Sequence, residues 1–349
     1  MPRTHRRSIA WRLWLGAAAA LTLVTVSGGG MFSYYYADEA VGPRVVCLMY
    51  HKIVTAREFD SCEGDERYYS IPVNRFEEHL RYLRTRGYQS LGTDDCIAYL
   101  KDGRAVPEKS VFITIDDGYE SALTRAQPLL RKYGFRATLF VTADPHACVF
   151  DHGRPRQPRL SDQEMQRLDA SVIDVQAHGL THRPLNELPD DELLAELTRS
   201  RDQLGAITHR SIRCMAVPGN HYDERVLEFA KRAGYQAVFT SDPGSLDPGD
   251  DLIGIPRVNV AGYFDAPGLA SILDADGMAR RRFVRTLSAG PVQLLGTTFG
   301  RPLSRFLCII FAKHPPNHQA VILGLAGLFV VWTVTIMVRR RVHCTVRSD

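Results

Sequence analysis

The chain has 349 residues, 45% of them hydrophobic and 23% charged, with a formal net charge of +4. That balance excludes a disordered polymer and allows one large domain or two smaller ones. The positive charge sits at the ends: residues 1–12 hold four Arg and residues 339–349 carry a net +3, which leaves about −3 for the rest and implies no nucleic-acid partner.

Residues 1–12, with Arg3, Arg6, Arg7 and Arg12, read as a basic cytoplasmic tail. Residues 13–36 are uncharged and long enough to cross a hydrocarbon core of ~30 Å as a transmembrane helix or signal anchor. Tyr34-Tyr35-Tyr36 suit the outer interface, whereas Gly28-Gly29-Gly30 weaken a helix there; a cleaved signal peptide is the alternative. Residues 319–338 form a second uncharged stretch, followed by the basic tail 339–349. The positive-inside rule places both tails in the cytoplasm and the intervening domain outside, at the inner (cytoplasmic) membrane and facing the periplasm or the exterior.

Between the two stretches, strands and helices alternate. Val45 to His51 is a first strand, and Thr55 to Ser70 reads as a long polar surface loop of the kind that shapes a substrate groove. Pro72 to Gly87 is an amphipathic helix with Phe76, Leu80 and Leu83 on one face, and Thr93 to Leu100 is a second helix capped by Thr93 or Asp94. Val111 to Ile115, Ala137 to Thr142, Val172 to Gln176, Ile212 to Val217, Ala237 to Thr240 and Ile255 to Val260 read as further strands. Helices over Leu123–Tyr133, Asp190–Leu204 and Asp223–Ala233 separate them, the last capped by Asp223. About seven strands in strict alternation predict a parallel α/β barrel over residues 44–262. Residues 263–318, with Arg280-Arg281-Arg282, read as a juxtamembrane segment, or else as a surface helix and linker. Of seven cysteines, Cys62 and Cys96 are the pair that the loop positions favour for a disulfide. Cys47 and Cys214 fall in apolar runs and read as buried thiols.

Two stretches carry the chemistry. The run Val111 to Ile115 is apolar on both faces, as a buried parallel strand is, and ends in Asp116-Asp117-Gly118. Two adjacent carboxylates at a strand end repel each other unless a cation or a shared proton intervenes. Val172 to Gln176 ends in Ala177-His178-Gly179-Leu180-Thr181-His182, which adds two imidazoles. Two imidazoles and one carboxylate make a three-ligand site that leaves a position open for water, as in catalytic zinc sites. Taken singly, each stretch also reads as a solvated turn or a capping residue.

Thr114-Ile115-Asp116-Asp117-Gly118 resembles the Thr-Phe-Asp-Asp-Gly motif of the NodB-type polysaccharide deacetylases (carbohydrate esterase family 4). His178-Gly-Leu-Thr-His182 resembles that family's His-x-x-x-His motif, and the likeness covers roughly Val45 to Val260 in the right order. The resemblance implies a distorted (β/α)7 barrel, here flanked by the two transmembrane helices. It implies Asp117, His178 and His182 as ligands of a divalent metal, Zn2+ or else Co2+ or Ni2+, and Asp116 as the catalytic base. It further implies removal of N-acetyl groups from an N-acetylhexosamine polysaccharide. The opening Tyr50-His51 and the lack of a closing Leu-His motif most resemble the branch acting on β-1,6-linked poly-N-acetylglucosamine, with an exopolysaccharide synthesis or export complex as the expected partner.

Two departures stand out. Ala216 occupies the place of an Arg that orients the base in some members, and Asn220 that of a Gly. Arg257 is the candidate replacement for that Arg, its alternative being a pairing with a surface acid. Without the closing Leu-His motif the general acid is unassigned, with His51, His221 and a metal-bound water as candidates. O-deacetylation of a surface glycan, or a catalytically weak glycan-binding role in an export complex, are the rival functions.

Overall fold

The structure is a computed structural model and describes residues 45–147 and 158–274. In chain order it places β1 (Val45–Tyr50), α1 (Ala56–Ser61), α2 (Gly64–Tyr68), α3 (Val73–Thr85), α4 (Thr93–Asp102) and β2 (Ser110–Ile115). Then come α5 (Gln127–Tyr133), β3 (Ala137–Val141), α6 (Asp162–Arg167), β4 (Ile173–Ala177), α7 (Asp190–Thr208) and β5 (Cys214–Ala216). The last elements are α8 (Glu224–Arg232), β6 (Ala237–Phe239), β7 (Ile253–Ile255), β8 (Val258–Asn259) and α9 (Ala266–Leu273).

Strands β1 to β7 lie side by side in chain order, every neighbouring pair parallel. β8 returns to β1, pairing Val258 with Leu48 and Asn259 with Met49, so the sheet curls into a nearly closed barrel. The strand expected over Ile255 to Val260 is therefore split. Pro256 lacks the amide proton a ladder needs, and the break lets β7 pair with β6 and β8 with β1.

Both faces of the strands are buried, which is why the runs read as continuously apolar. Alternate residues point inward, where Cys47, Phe112, Phe140, Cys214 and Phe239 form one core with α4 residues Cys96, Tyr99 and Leu100. The phenyl ring of Phe239 lies 5.5 Å from that of Phe112 and 5.2 Å from that of Phe140. The opposite set, among them Leu48, Ile113, Leu139 and Val175, packs outward against Leu80, Leu130, Leu193 and Leu197 of the helices.

Several expectations are corrected. The stretch Thr55 to Ser70 is not a plain loop: it folds into α1 and α2, the first opened by a reciprocal cap between Thr55 and Glu58. The N-cap of α4 is Gly92, because the Thr93 hydroxyl is engaged with Asp174 and Thr138 instead. Cys62 and Cys96 are not joined by a disulfide. Cys62 is buried beside α1 with its Sγ 3.2 Å from the Glu58 carbonyl, while Cys96 faces the barrel core. The domain also runs past residue 262, since α9 buries Leu269 and Ile272 in the outer core. Among the described residues no helix is long and apolar enough to cross a membrane. The predicted spans 13–36 and 319–338, both basic tails and most of 263–318 lie outside the described residues.

Candidate metal centre and active site

Strand alternation decides which side chains reach the cleft at the carboxyl end of the barrel. On β2, Phe112 and Thr114 face inward, and Asp116 continues that face just past the strand end. Asp117 would alternate outward, but its backbone takes φ 77°, in the left-handed region that non-glycine residues seldom occupy, and its carboxylate lines the same cleft. Gly118 follows at φ 81°, where a Cβ would stand 2.8 Å from Val141 Cγ1, so the turn out of the strand requires glycine. On β4, Asp174 and Gln176 alternate with the outward Val175, and His178 continues their face into the cleft. His182 also has positive φ, 62°.

Asp117, His178 and His182 converge: their ligand atoms lie within 4.8 Å of one another. Both Nε2 atoms stand 3.5 Å from Asp117 Oδ1, a buried oxygen that accepts no conventional hydrogen bond. Donors bound to one ion at ~2.0–2.2 Å lie at about this separation, and a buried orphan carboxylate oxygen is what a divalent cation satisfies. The donor set therefore fits a metal. His178 Nδ1–H donates to the Ala216 carbonyl at 2.9 Å, which fixes the tautomer and leaves Nε2 as a lone-pair donor. Burial pushes the His178 imidazole down to about 4, so it is neutral and ready to ligate. Burial alone would raise the Asp117 carboxyl. The His182 contact and the charges of His51, His182 and His178 outweigh it and hold that carboxyl well below the usual range.

A residue that the sequence reading passed over holds this loop. Glu196 sits on the buried face of α7 with Leu193, Leu197 and Ser200. It accepts hydrogen bonds from the backbone amides of Leu180 (2.9 Å) and Thr181 (2.6 Å) and from the Thr181 hydroxyl. A carboxylate among leucines at helical spacing was the available signal.

Asp116 belongs to a different network. Arg257 forks onto it, Nη1 donating to Oδ1 at 2.7 Å and Nη2 to Oδ2 at 2.8 Å. Arg257 Nε donates to the Thr240 carbonyl at 2.8 Å, Nη1 also reaches Thr114 Oγ1, and the guanidinium lies over the Phe140 ring at 5.3 Å. Arg257 has no solvent exposure, so its pairing with a surface acid is excluded. Burial would raise the Asp116 carboxyl, but Arg257 and His178 hold it below its ordinary value.

His51 lines the cleft, 8% exposed, with Nε2 3.9 Å from Asp116 Oδ2 and Nδ1 without a partner. Burial lowers its basicity despite the two carboxylates nearby. His221 is exposed and is not part of the cleft wall. Asn220 is in the wall; at φ 59° it tolerates the left-handed conformation expected of a Gly there, and its side-chain amide donates to Asp242 at 3.1 Å. Met49, Tyr69, Val217, Gly219 and Ser241 also line the cleft, and no sequence motif singles out Tyr69 or Ser241.

Residues 103–238 match the sequence profile of the polysaccharide deacetylase family. The chain is 27% identical over 214 residues to YxkH of Bacillus subtilis (strain 168), which bears a polysaccharide deacetylase name, covering 61% of this chain and 70% of that protein. It is 22% identical over 228 residues to the poly-beta-1,6-N-acetyl-D-glucosamine N-deacetylase of Staphylococcus aureus, covering 62% of this chain and 78% of that protein. Among solved structures, the deacetylase PplD of Streptococcus pyogenes, in complex with acetate, superposes with a TM-score of 0.57 at 21% identity, covering 66% of this chain and 98% of that one. IcaB from Ammonifex degensii superposes with a TM-score of 0.56 at 24% identity, covering 68% and 97%. Both share the barrel. The stretch that carries Asp116, Asp117, His178 and His182 thus matches the polysaccharide deacetylase family, and the chain is a deacetylase-type hydrolase.

Proposed function

We propose that the chain is a metal-dependent enzyme that removes N-acetyl groups from an N-acetylhexosamine polysaccharide outside the cytoplasm. The convergence of Asp117, His178 and His182 beside an Asp116 held by Arg257 carries this reading. The name of the Staphylococcus aureus relative supports β-1,6-linked poly-N-acetylglucosamine as the glycan. The uncharged segments 13–36 and 319–338, each flanked by an Arg cluster, support a double membrane anchor, and the glycan named for that relative is one that a neighbouring synthesis or export complex would deliver.

Asp117, His178 and His182 would hold a divalent cation, Zn2+ or else Co2+ or Ni2+, which would supply Lewis acidity toward water and the acetyl carbonyl. Asp116, kept ionised and aimed by the Arg257 fork, takes the proton of the attacking water at a carboxylate oxygen. His51 is the group that hands a proton to the leaving nitrogen. Burial disfavours its imidazolium, so a proton reaching Nε2 is readily given up, and Asp116 Oδ2 lies 3.9 Å away to return one. Arg257 is a positioning residue whose fork fixes which carboxylate edge faces the cleft.

Acetate release from β-1,6-linked N-acetylglucosamine oligomers, with and without chelator, tests this. Release that chelator abolishes and added Zn2+ restores is expected. Oligomer binding without release would favour the glycan-binding role, and release only from O-acetyl sugars would favour the esterase.

A further inference from the structure

Among the described residues the exposed large hydrophobic side chains are Tyr68, at 40%, and Tyr263, at 60%. They come from segments far apart in the chain and stand together, with ring centroids 6.4 Å apart. Gly262 makes that meeting possible. A Cβ at this position would overlap the Ser70 carbonyl oxygen and press on Phe59, so only glycine lets the chain after β8 lie against the chain after α2. The pair is also the end of a longer row. His51 in the cleft wall lies 4.6 Å from the Tyr69 ring at a tilt of 56°, Tyr69 meets Tyr68 edge-on at 5.0 Å, and Tyr263 lies 4.8 Å from Phe264.

We infer that Tyr68 and Tyr263 form a sugar-stacking ledge that holds the glycan units next to the one being deacetylated. This rests on the deacetylase reading above and adds which side chains hold the units beside the reacting one. A Tyr ring combines an apolar face with a hydroxyl tip, and a pyranose offers the complementary pair, an apolar C–H face and a polar rim. The row starts at the cleft, so a chain whose acetylated unit sits above Asp117 runs directly onto it. The charge nearby narrows the occupant. Residues 56–68 hold five acids against two Arg, and with Lys52 on Glu66 and Arg125 on Glu58 the balance is still one negative charge, which accepts a neutral glycan or one whose freed amines are protonated better than an anionic lipid surface. Exposed aromatic surface beside a polar rim and a cleft is the usual mark of a ligand groove.

Tyr68→Ala, Tyr263→Ala and the double variant of the full-length chain test the ledge. The substrates are β-1,6-linked N-acetylglucosamine oligomers of increasing length and a small aryl acetate ester that cannot reach past the cleft. The double variant is expected to raise KM for the longer oligomers by about 5- to 30-fold and to flatten the dependence of KM on length. Its kcat on the ester should stay at the wild-type value, and Tyr68→Trp should recover most of the oligomer affinity. Unchanged KM at every length, or an equal fall in kcat on both substrates, overturns the ledge. Binding of fully deacetylated oligomers, measured by calorimetry, separates the two claims. If wild type releases no acetate but the double variant loses this binding, the deacetylase reading fails and the ledge stands. If acetate is released and binding is the same in both proteins, the ledge fails alone.

Discussion

Replacing Arg257 with Met removes the guanidinium fork from a carboxylate that is 1% exposed. Methionine roughly fills the stem of the side chain, so the loss is electrostatic rather than a cavity. Breaking one side of a buried ion pair costs about 3–5 kcal/mol, because the remaining charge is left without a partner. The Thr240 carbonyl also loses its donor, worth about 1 kcal/mol. The sign of the pH dependence follows. In wild type the Asp116 carboxyl lies below its ordinary value near 3.8, so its stabilising contribution is complete above that pH and is lost as pH falls through the folded value. Without Arg257 burial prevails, the carboxyl rises, and low pH relieves the variant instead of penalising it. Urea unfolding with chelator present, so that metal binding does not add to stability, measures this for Arg257→Met, Asp116→Asn and the double variant. The double variant should lose at least ~1 kcal/mol less than the sum of the singles, and the acid limb of the pH–rate profile of Arg257→Met should move to higher pH. A loss under ~1 kcal/mol in Arg257→Met, or strictly additive effects, would show that the fork is not a coupled pair.

Glu196→Gln keeps the shape of the side chain but removes the charge that gathers the Leu180 and Thr181 amides. Metal affinity should fall ~10–100-fold with His178 and His182 intact, and chelator competition giving wild-type affinity contradicts the orienting role. His79 is buried on α3, its Nε2 2.9 Å from the Phe264 carbonyl, and burial pushes its imidazole from near 6.5 down to about 4. The unfolded chain binds the extra proton between those values, so stability should drop by about 3 kcal/mol as pH falls through that window. His79→Gln should remove most of that slope in urea melts stepped through pH, and an unchanged slope refutes it.

The residues that announce themselves in the sequence do so by local rules. Asp116-Asp117 and His178…His182 sit at the ends of apolar runs, and the runs themselves are legible because both faces of a barrel strand are buried. Caps follow the same logic: Asp223 accepts from the Val226 amide as its position before an amphipathic run predicts. What was not legible depends on contacts between distant segments. Arg257 emerged from the sequence only as a candidate, because the break at Pro256 that aims it inward depends on β7 and β8 pairing with opposite ends of the sheet. The helices α1 and α2 look like loop in the sequence because their composition is polar and each is shorter than two full turns, so no periodic stripe develops. The Tyr68–Tyr263 pair needs the close approach at Gly262, which no spacing along the chain encodes.

The central claim gives adjacent carboxylates different jobs, and one paired measurement tests it: metal content by mass spectrometry alongside acetate release, on wild type, Asp116→Asn, Asp117→Asn and His178→Ala. Asp117→Asn and His178→Ala should lose both metal and activity, since each removes one of three converging ligands. Asp116→Asn should keep the metal and still bind glycan while acetate release falls ~10²–10⁴-fold, the usual worth of a positioned base. Loss of metal from Asp116→Asn with retention in Asp117→Asn would reverse the two roles. Full metal content and near-normal turnover in all three variants would contradict the account.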